Sequence, residues 1–298
     1  MKKNWLVVAL VSLFAVAGLF TLSVFMVKAL VDDRSLVSVG GGVGVVEVKG
    51  PIIDSVDTVK ELADFADNRS VKAILLRIDS PGGVVGPSQE ISAEVKRIAA
   101  LKPVVISMGS VAASGGYYIA APASLILANP GTITGSIGVI MKLSNVEGLL
   151  DKVGLKATTI KSGLFKDTGS STRPMTPEEK QLLQTVVDDL HDQFVLAVAD
   201  GRKLPVEDVR QLADGRVYTG RQALALKLVD RLGGFQDAVA EAGKLAGIEG
   251  EPRLIHPPKK GTLLGKLLAE EASTFLRGMA RSGSSWSLRY QLPYGEAE

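Results

Sequence analysis

Two apolar runs of strand-forming residues each end in a short string with paired glycines, a pattern that leaves few folds open. Residues 71–78 lead into Asp79-Ser80-Pro81-Gly82-Gly83, and residues 103–108 lead into Ala112-Ala113-Ser114-Gly115-Gly116. Between them, residues 88–100 carry Ile91, Val95 and Ile98 at helical spacing, so the region reads as strand, helix, strand. Further strand signals at 43–48, 124–128 and 156–161, with a helical stretch at 145–153, continue the alternation. They predict an α/β fold in which helices cover a sheet. The second string puts Ser114 at a tight strand-to-helix turn, and both strings leave backbone N–H groups free beside it. Acyl transfer needs this arrangement: a held hydroxyl next to donors for an oxyanion. The expectation is therefore a hydrolase.

Bulk composition narrows the class further. Of 298 residues, 46% are hydrophobic, enough for a substantial core. The 34 basic residues nearly balance the 32 acidic ones, so nucleic acid is not an expected partner. The chain has no cysteine, which excludes a thiol nucleophile, a Cys-ligated metal, a disulfide framework and a lipid-modified cysteine. No metal or cofactor is expected.

Residues 5–27 form an uncharged run of 23, longer than the roughly 20 that cross a bilayer core. Lys2 and Lys3 precede the run, whereas Lys28 and Arg34 after it are offset by Asp32 and Asp33. The charge bias places the N-terminus in the cytoplasm and the remainder on the extracytoplasmic side of a cell membrane. A cleaved signal peptide ending near Val27-Lys28-Ala29 is the competing reading, but the apolar stretch is too long for one. The expected organisation is a cytoplasmic N-terminus and single-pass anchor over 1–27, a linker over 28–42 and a folded domain over 43–250. Residues 251–298 are expected to form a linker, an amphipathic helix at 262–279 and a mobile tail rich in Ser and Gly.

Thr176-Pro177-Glu178-Glu179 is a helix start, with a hydroxyl cap, proline at the first turn and glutamate three residues after the cap. The helix is expected to run to about residue 200, with Leu182, Val186, Leu190, Phe194 and Val198 on a core or subunit-packing face. Shorter helices are expected near 206–213, 220–228 and 236–246.

A serine hydroxyl needs a base within hydrogen-bond reach. The two histidines, His191 in the long helix and His256 in a proline-rich stretch, have no setting that favours the role and are expected on the solvated surface. A neutral lysine is the natural alternative, because desolvation disfavours an ammonium. Periodicity leaves Lys142, Lys152, Lys156, Lys161 and Lys166 open.

Five strings occur in order: Asp79–Gly83; residues 110–118 (Ser-Val-Ala-Ala-Ser-Gly-Gly-Tyr-Tyr); 134–139 (Thr-Gly-Ser-Ile-Gly-Val); 162–167 (Ser-Gly-Leu-Phe-Lys-Asp); and 215–220 (Gly-Arg-Val-Tyr-Thr-Gly). Together they resemble the signal peptide peptidase A family of membrane-anchored serine peptidases, over roughly residues 43–247. The resemblance implies a Clp-protease/crotonase-like fold of repeated ββα units, Ser114 as nucleophile and Lys166 as general base. It further implies that Ser136 positions the lysine, that the N–H groups of Gly83 and Gly115 form an oxyanion hole, and that copies assemble into a homo-oligomeric ring. The implied substrates are cleaved signal peptides and other extended apolar peptides at the lipid bilayer. Asp167 need not clamp Lys166 if the segment is extended. The alternatives are a related Ser-Lys protease acting on stomatin-like membrane proteins, a crotonase-like acyl-CoA enzyme and a catalytically silent scaffold.

Overall fold

The computed structural model describes residues 41–257, the isolated positions Gly18, Leu19, Leu22 and Ser23, and a strand at Arg289–Gln291. The chain divides into two units, Met1–Gly41 and Gly42–Glu298. The expected anchor is described at only those four positions, and the expected helix at 262–279 lies outside the described residues. Among the described residues no helix is long and apolar enough to cross a membrane.

The second unit is a mixed α/β structure around a central sheet. Its first part runs β1 (Gly42–Lys49), α1 (Val56–Asp67), β2 (Val71–Ser80), β3 (Gly82–Val84), α2 (Val85–Ala99), β4 (Val104–Ala113), α3 (Gly115–Ala120), β5 (Leu125–Ala128) and β6 (Ile133–Gly135). It continues with α4 (Glu147–Lys152), α5 (Pro177–Arg202), α6 (Val206–Leu212), β7 (Val217–Thr219), α7 (Gly220–Ala225), β8 (Arg231–Leu232), α8 (Phe235–Leu245), β9 (Leu254–Ile255) and β10 (Arg289–Gln291). The sheet order is β7-β6-β4-β2-β1-β9, with β5 joining β4 to β8. Every pairing in that sheet is parallel except β6 with β7.

Burial on both faces explains the near-continuous apolar strands. Val46, Ile74, Leu76, Ile78 and Ile106 point into one core with Leu62 of α1, Ile91 and Val95 of α2, and Phe194 of α5. The alternate residues Val45, Ala73, Leu75 and Val105 point into a second core with Ala238, Val239 and Ala242 of α8.

The start of α5 forms as expected: Thr176 accepts from Glu179 N, and the Glu179 side chain accepts from Thr176 N. Its apolar face divides. Phe194 and Val198 are buried, whereas Leu182 and Val186 are exposed, so only the C-terminal half packs on the core of this copy. One expectation fails within the described residues: residues 156–161 form no strand, and with apolar side chains only at Ala157 and Ile160 the stretch has no apolar face to bury in a sheet. Within the expected tail, Arg289–Gln291 form β10, which pairs with β3. Helix α1 was not anticipated, although Val59, Leu62, Phe65 and Ala66 have helical spacing.

The central position of β2 sets the first testable outcome. Leu76 is fully buried, and Leu76→Ala should lower unfolding free energy by about 2–5 kcal/mol in urea titration. A loss below about 1 kcal/mol would contradict its place in the core.

Candidate active site

The site begins where β4 changes partner. Val105–Ser107 pair with β5 on one edge, and further along Val111–Ala113 pair on the same side with β6. Gly109 lies at the changeover. A Cβ there would come within 2.6 Å of Asp79 Cγ, and the Asp79 carboxylate accepts a hydrogen bond from Val111 N at 3.1 Å. The aspartate thus takes up the backbone displacement that lets the second half of β4 run beside β6. The β2–β4 register shifts at the same level, between Ile78 and Ser80.

Beyond β4, Ser114 N donates to Gly135 O at 2.8 Å, and the chain turns directly into α3. Ser114 adopts φ 54° and ψ −119°, a conformation that costs a non-glycine residue about 1–3 kcal/mol. Helix α3 holds it there, because all six of its residues are buried. Tyr117 OH donates to Leu228 O at 2.8 Å, and Ser92 Oγ donates to Tyr118 O at 3.0 Å. Burial pushes the Tyr117 phenol up, keeping it a neutral donor.

The glycine strings meet at this turn. A Cβ on Gly115 would stand 3.2 Å from Gly83 N and 2.5 Å from Ser88 Oγ, and one on Gly83 would overlap Ile52 O at 2.0 Å. Only glycine permits this approach, which brings the Gly83 N–H beside the first turn of α3. The Gly115 N–H, at that first turn, has no acceptor within its own helix. Ser136 follows Gly135 as Ser114 follows the paired Ala113. It is buried, has φ 51°, and its N–H donates to Arg216 O at 2.8 Å. The structure therefore brings Ser114, Gly83, Gly115 and Ser136 together.

Lys166 makes no hydrogen bond to the Ser114 side chain. Ser114 is 1% exposed, and its Oγ has no hydrogen-bond partner among the described residues. Lys166 is exposed, in a turn where its N–H donates to Gly163 O at 3.2 Å. The segment is not extended, and Asp167 turns to other cations: Lys161 at 2.5 Å and Arg173 at 2.9 Å. Lys161 also donates to Leu164 O, so that candidate base is occupied. Arg173 bridges Asp167 to Glu179 of α5. His191, expected on the solvated surface, is half-buried, with Nε2 2.7 Å from Ala213 O; His256 is exposed. Among the described residues no cluster of three His, Asp or Glu side chains could hold a metal ion.

Sequence reasoning gave no role to Asp79, Ser80 or Ser88. Ser80 Oγ accepts from Gly82 N at 3.1 Å, and Ser88 Oγ donates to Val84 O at 2.9 Å; both brace the first glycine string. Asp79 opens that string, and this is the only signal that marks it.

The Arg173 bridge gives the segment at 161–179 a pH dependence. Hydrogen bonds from Arg173 and Lys161 hold the Asp167 carboxyl well below the usual carboxylate range. Arg173, followed by the Thr176 N–H, brings Glu179 down to about 2. Both folded values lie below the unfolded ones of about 4. Their stabilisation is full above that range and is lost as pH falls through about 2 for Glu179. Hydrogen exchange over 161–179, corrected for intrinsic rate, should be constant from pH 8 to about 5 and accelerate below about 4. Unchanged protection at about pH 2 would show that the bridge does not hold this segment.

Residues 96–249 match peptidase family S49. A putative protease of Synechocystis sp. is 48% identical over 205 residues, which are 68% of this chain and 74% of that protein. Protease 4 of Salmonella typhi is 40% identical over 220 residues, covering 70% of this chain and 35% of that one. A putative signal peptide peptidase SppA of Enterococcus faecium is 42% identical over 180 residues, covering 60% of this chain and 52% of that one.

Proposed function

The chain belongs to peptidase family S49 and is a serine peptidase, and from that premise we propose that it is a membrane-anchored Ser-Lys endopeptidase whose dyad forms between copies. The observation that carries this reading is the orphaned Ser114 Oγ. A buried hydroxyl without a partner is costly, and it lies among backbone donors at a strained turn. The proposed base, Lys166, ends a segment that no core covers: Leu149, Val153 and Leu155 are exposed, and Ile160 is 98% exposed. None of the residues of α4 is buried. Packing of this segment and the bare half of α5 on a second copy would bury the apolar surface and carry Lys166 towards the neighbour's Ser114. Such contacts repeated head to tail close into a ring when the rotation between copies divides the full circle, and a ring is the assembly proposed. The largely parallel central sheet, with the serine at the end of β4, supports a fold of the Clp-protease/crotonase type.

In this mechanism the neutral Lys166 amine, steadied by Ser136, accepts the Ser114 Oγ proton as Oγ attacks the scissile carbonyl. The Gly83 and Gly115 N–H groups hold the oxyanion, each donor contributing about 2.7–4 kcal/mol to the transition state. The lysine returns the proton to the leaving amine, and water, deprotonated by the same lysine, releases the acyl group. An extended substrate strand along the edge of β3 suits this geometry, so a helical apolar peptide must unwind before it is cut. With residues 5–27 as an anchor and the domain on the extracytoplasmic side, signal peptides left in the bilayer are the proposed substrates.

Mixing inactive variants tests where the dyad forms. Ser114→Ala and Lys166→Ala should each be folded and inactive, and their co-assembly should restore activity in about a quarter of the sites. Lys166→Arg should remain inactive, because a guanidinium does not deprotonate. An active Lys166→Arg protein, or no recovery in verified mixed assemblies, would overturn the inter-copy dyad.

A further inference from the structure

Ser88 stands in the first turn of α2 and is fully buried. Its hydroxyl donates to Val84 O at 2.9 Å. The same oxygen lies 2.5 Å from the place a Cβ on Gly115 would take, and that place is 3.2 Å from Gly83 N. The peptide groups around Gly83 are held from the other side as well: Ile52 N donates to Gly82 O at 3.0 Å, and Val84 N donates to Ile52 O at 2.8 Å. With Gly82 O, Val84 N and Val84 O all fixed, the Gly83 N–H is left pointing away from Ile52, because backbone groups of successive strand residues face opposite edges. Further along the α2–α3 contact, Ser92 Oγ donates to Tyr118 O at 3.0 Å.

A helix serine that only bonds back to the carbonyl four residues earlier adds no stability to its helix. Full burial beside a glycine that tolerates no Cβ gives this one another use. We propose that Ser88 is a positioning residue for the oxyanion hole, its hydroxyl being the spacer that sets the gap between the Gly83 and Gly115 N–H groups. The inference rests on the catalytic reading of Ser114 and deepens it. A misplacement of about 1 Å in a catalytic site costs on the order of 100-fold in rate. A spacer changed by part of that distance should cost about tenfold.

Three full-length variants test the proposal. Ser88→Ala shortens the spacer and Ser88→Cys lengthens it. Alanine also favours the helix, so Ser88→Ala carries the test if the larger thiol does not pack. Ser92→Ala breaks the other α2–α3 hydroxyl contact and touches neither glycine. The readout is the NMR titration of the hemiacetal that an isotope-labelled peptide aldehyde forms on Ser114. Hydrogen bonds from the two N–H groups favour its ionised form, so a misplaced donor raises its pKa.

Both Ser88 variants should raise the hemiacetal pKa by about one unit and lower kcat about tenfold with KM within about twofold. The pH dependence of kcat/KM should stay as in the unsubstituted protein, because the base is untouched. Ser92→Ala should leave the hemiacetal titration where it is. An unchanged hemiacetal pKa in Ser88→Ala would overturn the proposal, as would an equal rise in Ser92→Ala, which would assign the effect to α2–α3 packing at large. Full peptide cleavage by Ser114→Ala, or a hemiacetal on another residue, would instead overturn the Ser114 reading, and the proposal with it.

Discussion

The exchange of partners along β4 is the constraint on which the site depends. A strand that pairs with β5 and then, on the same side, with β6 has to shift its backbone between the two. The Asp79 carboxylate, lodged where Gly109 lacks a Cβ, supplies the local hydrogen bond that permits the shift. Everything downstream follows from it. Pairing of Ala113 with Gly135 holds Ser114 at the end of the strand, α3 is driven into the core, and Ser114 is left in a backbone conformation it would not choose. Strain of this kind persists only where the surroundings over-determine it, as the buried α3 does here.

The local parts of this arrangement were readable from residue order. Apolar runs gave β1, β2, β4 and β5, the Thr176–Glu179 pair gave the start of α5, and the paired glycines marked the turn that carries Ser114. What escaped was long-range. Nothing near Asp79 indicates that its carboxylate will meet Val111, and nothing near residue 290 indicates pairing with Gly83. The strand expected at 156–161 failed for a local reason: its β-branched residues suit a strand, but Ala157 and Ile160 alone give it no apolar face to bury.

The buried orphan Ser114 Oγ, the exposed Lys166, the uncovered apolar residues of 149–165 and the bare half of α5 are the four observations that support the proposed assembly. The Arg173 bridge between Asp167 and Glu179 anchors the end of that segment to α5. In the proposed assembly each copy supplies a nucleophile with its oxyanion donors and lends a base to its neighbour. Catalysis is then confined to the assembled state.

The most direct measurement is a crystal structure of the assembled protein inhibited by a peptide aldehyde. The account predicts a hemiacetal on Ser114 Oγ with its oxyanion about 2.7–3.1 Å from Gly83 N and Gly115 N, and Lys166 of a neighbouring copy hydrogen-bonded to Ser114 Oγ. An adduct on another residue, or an oxyanion turned away from both glycines, would contradict it.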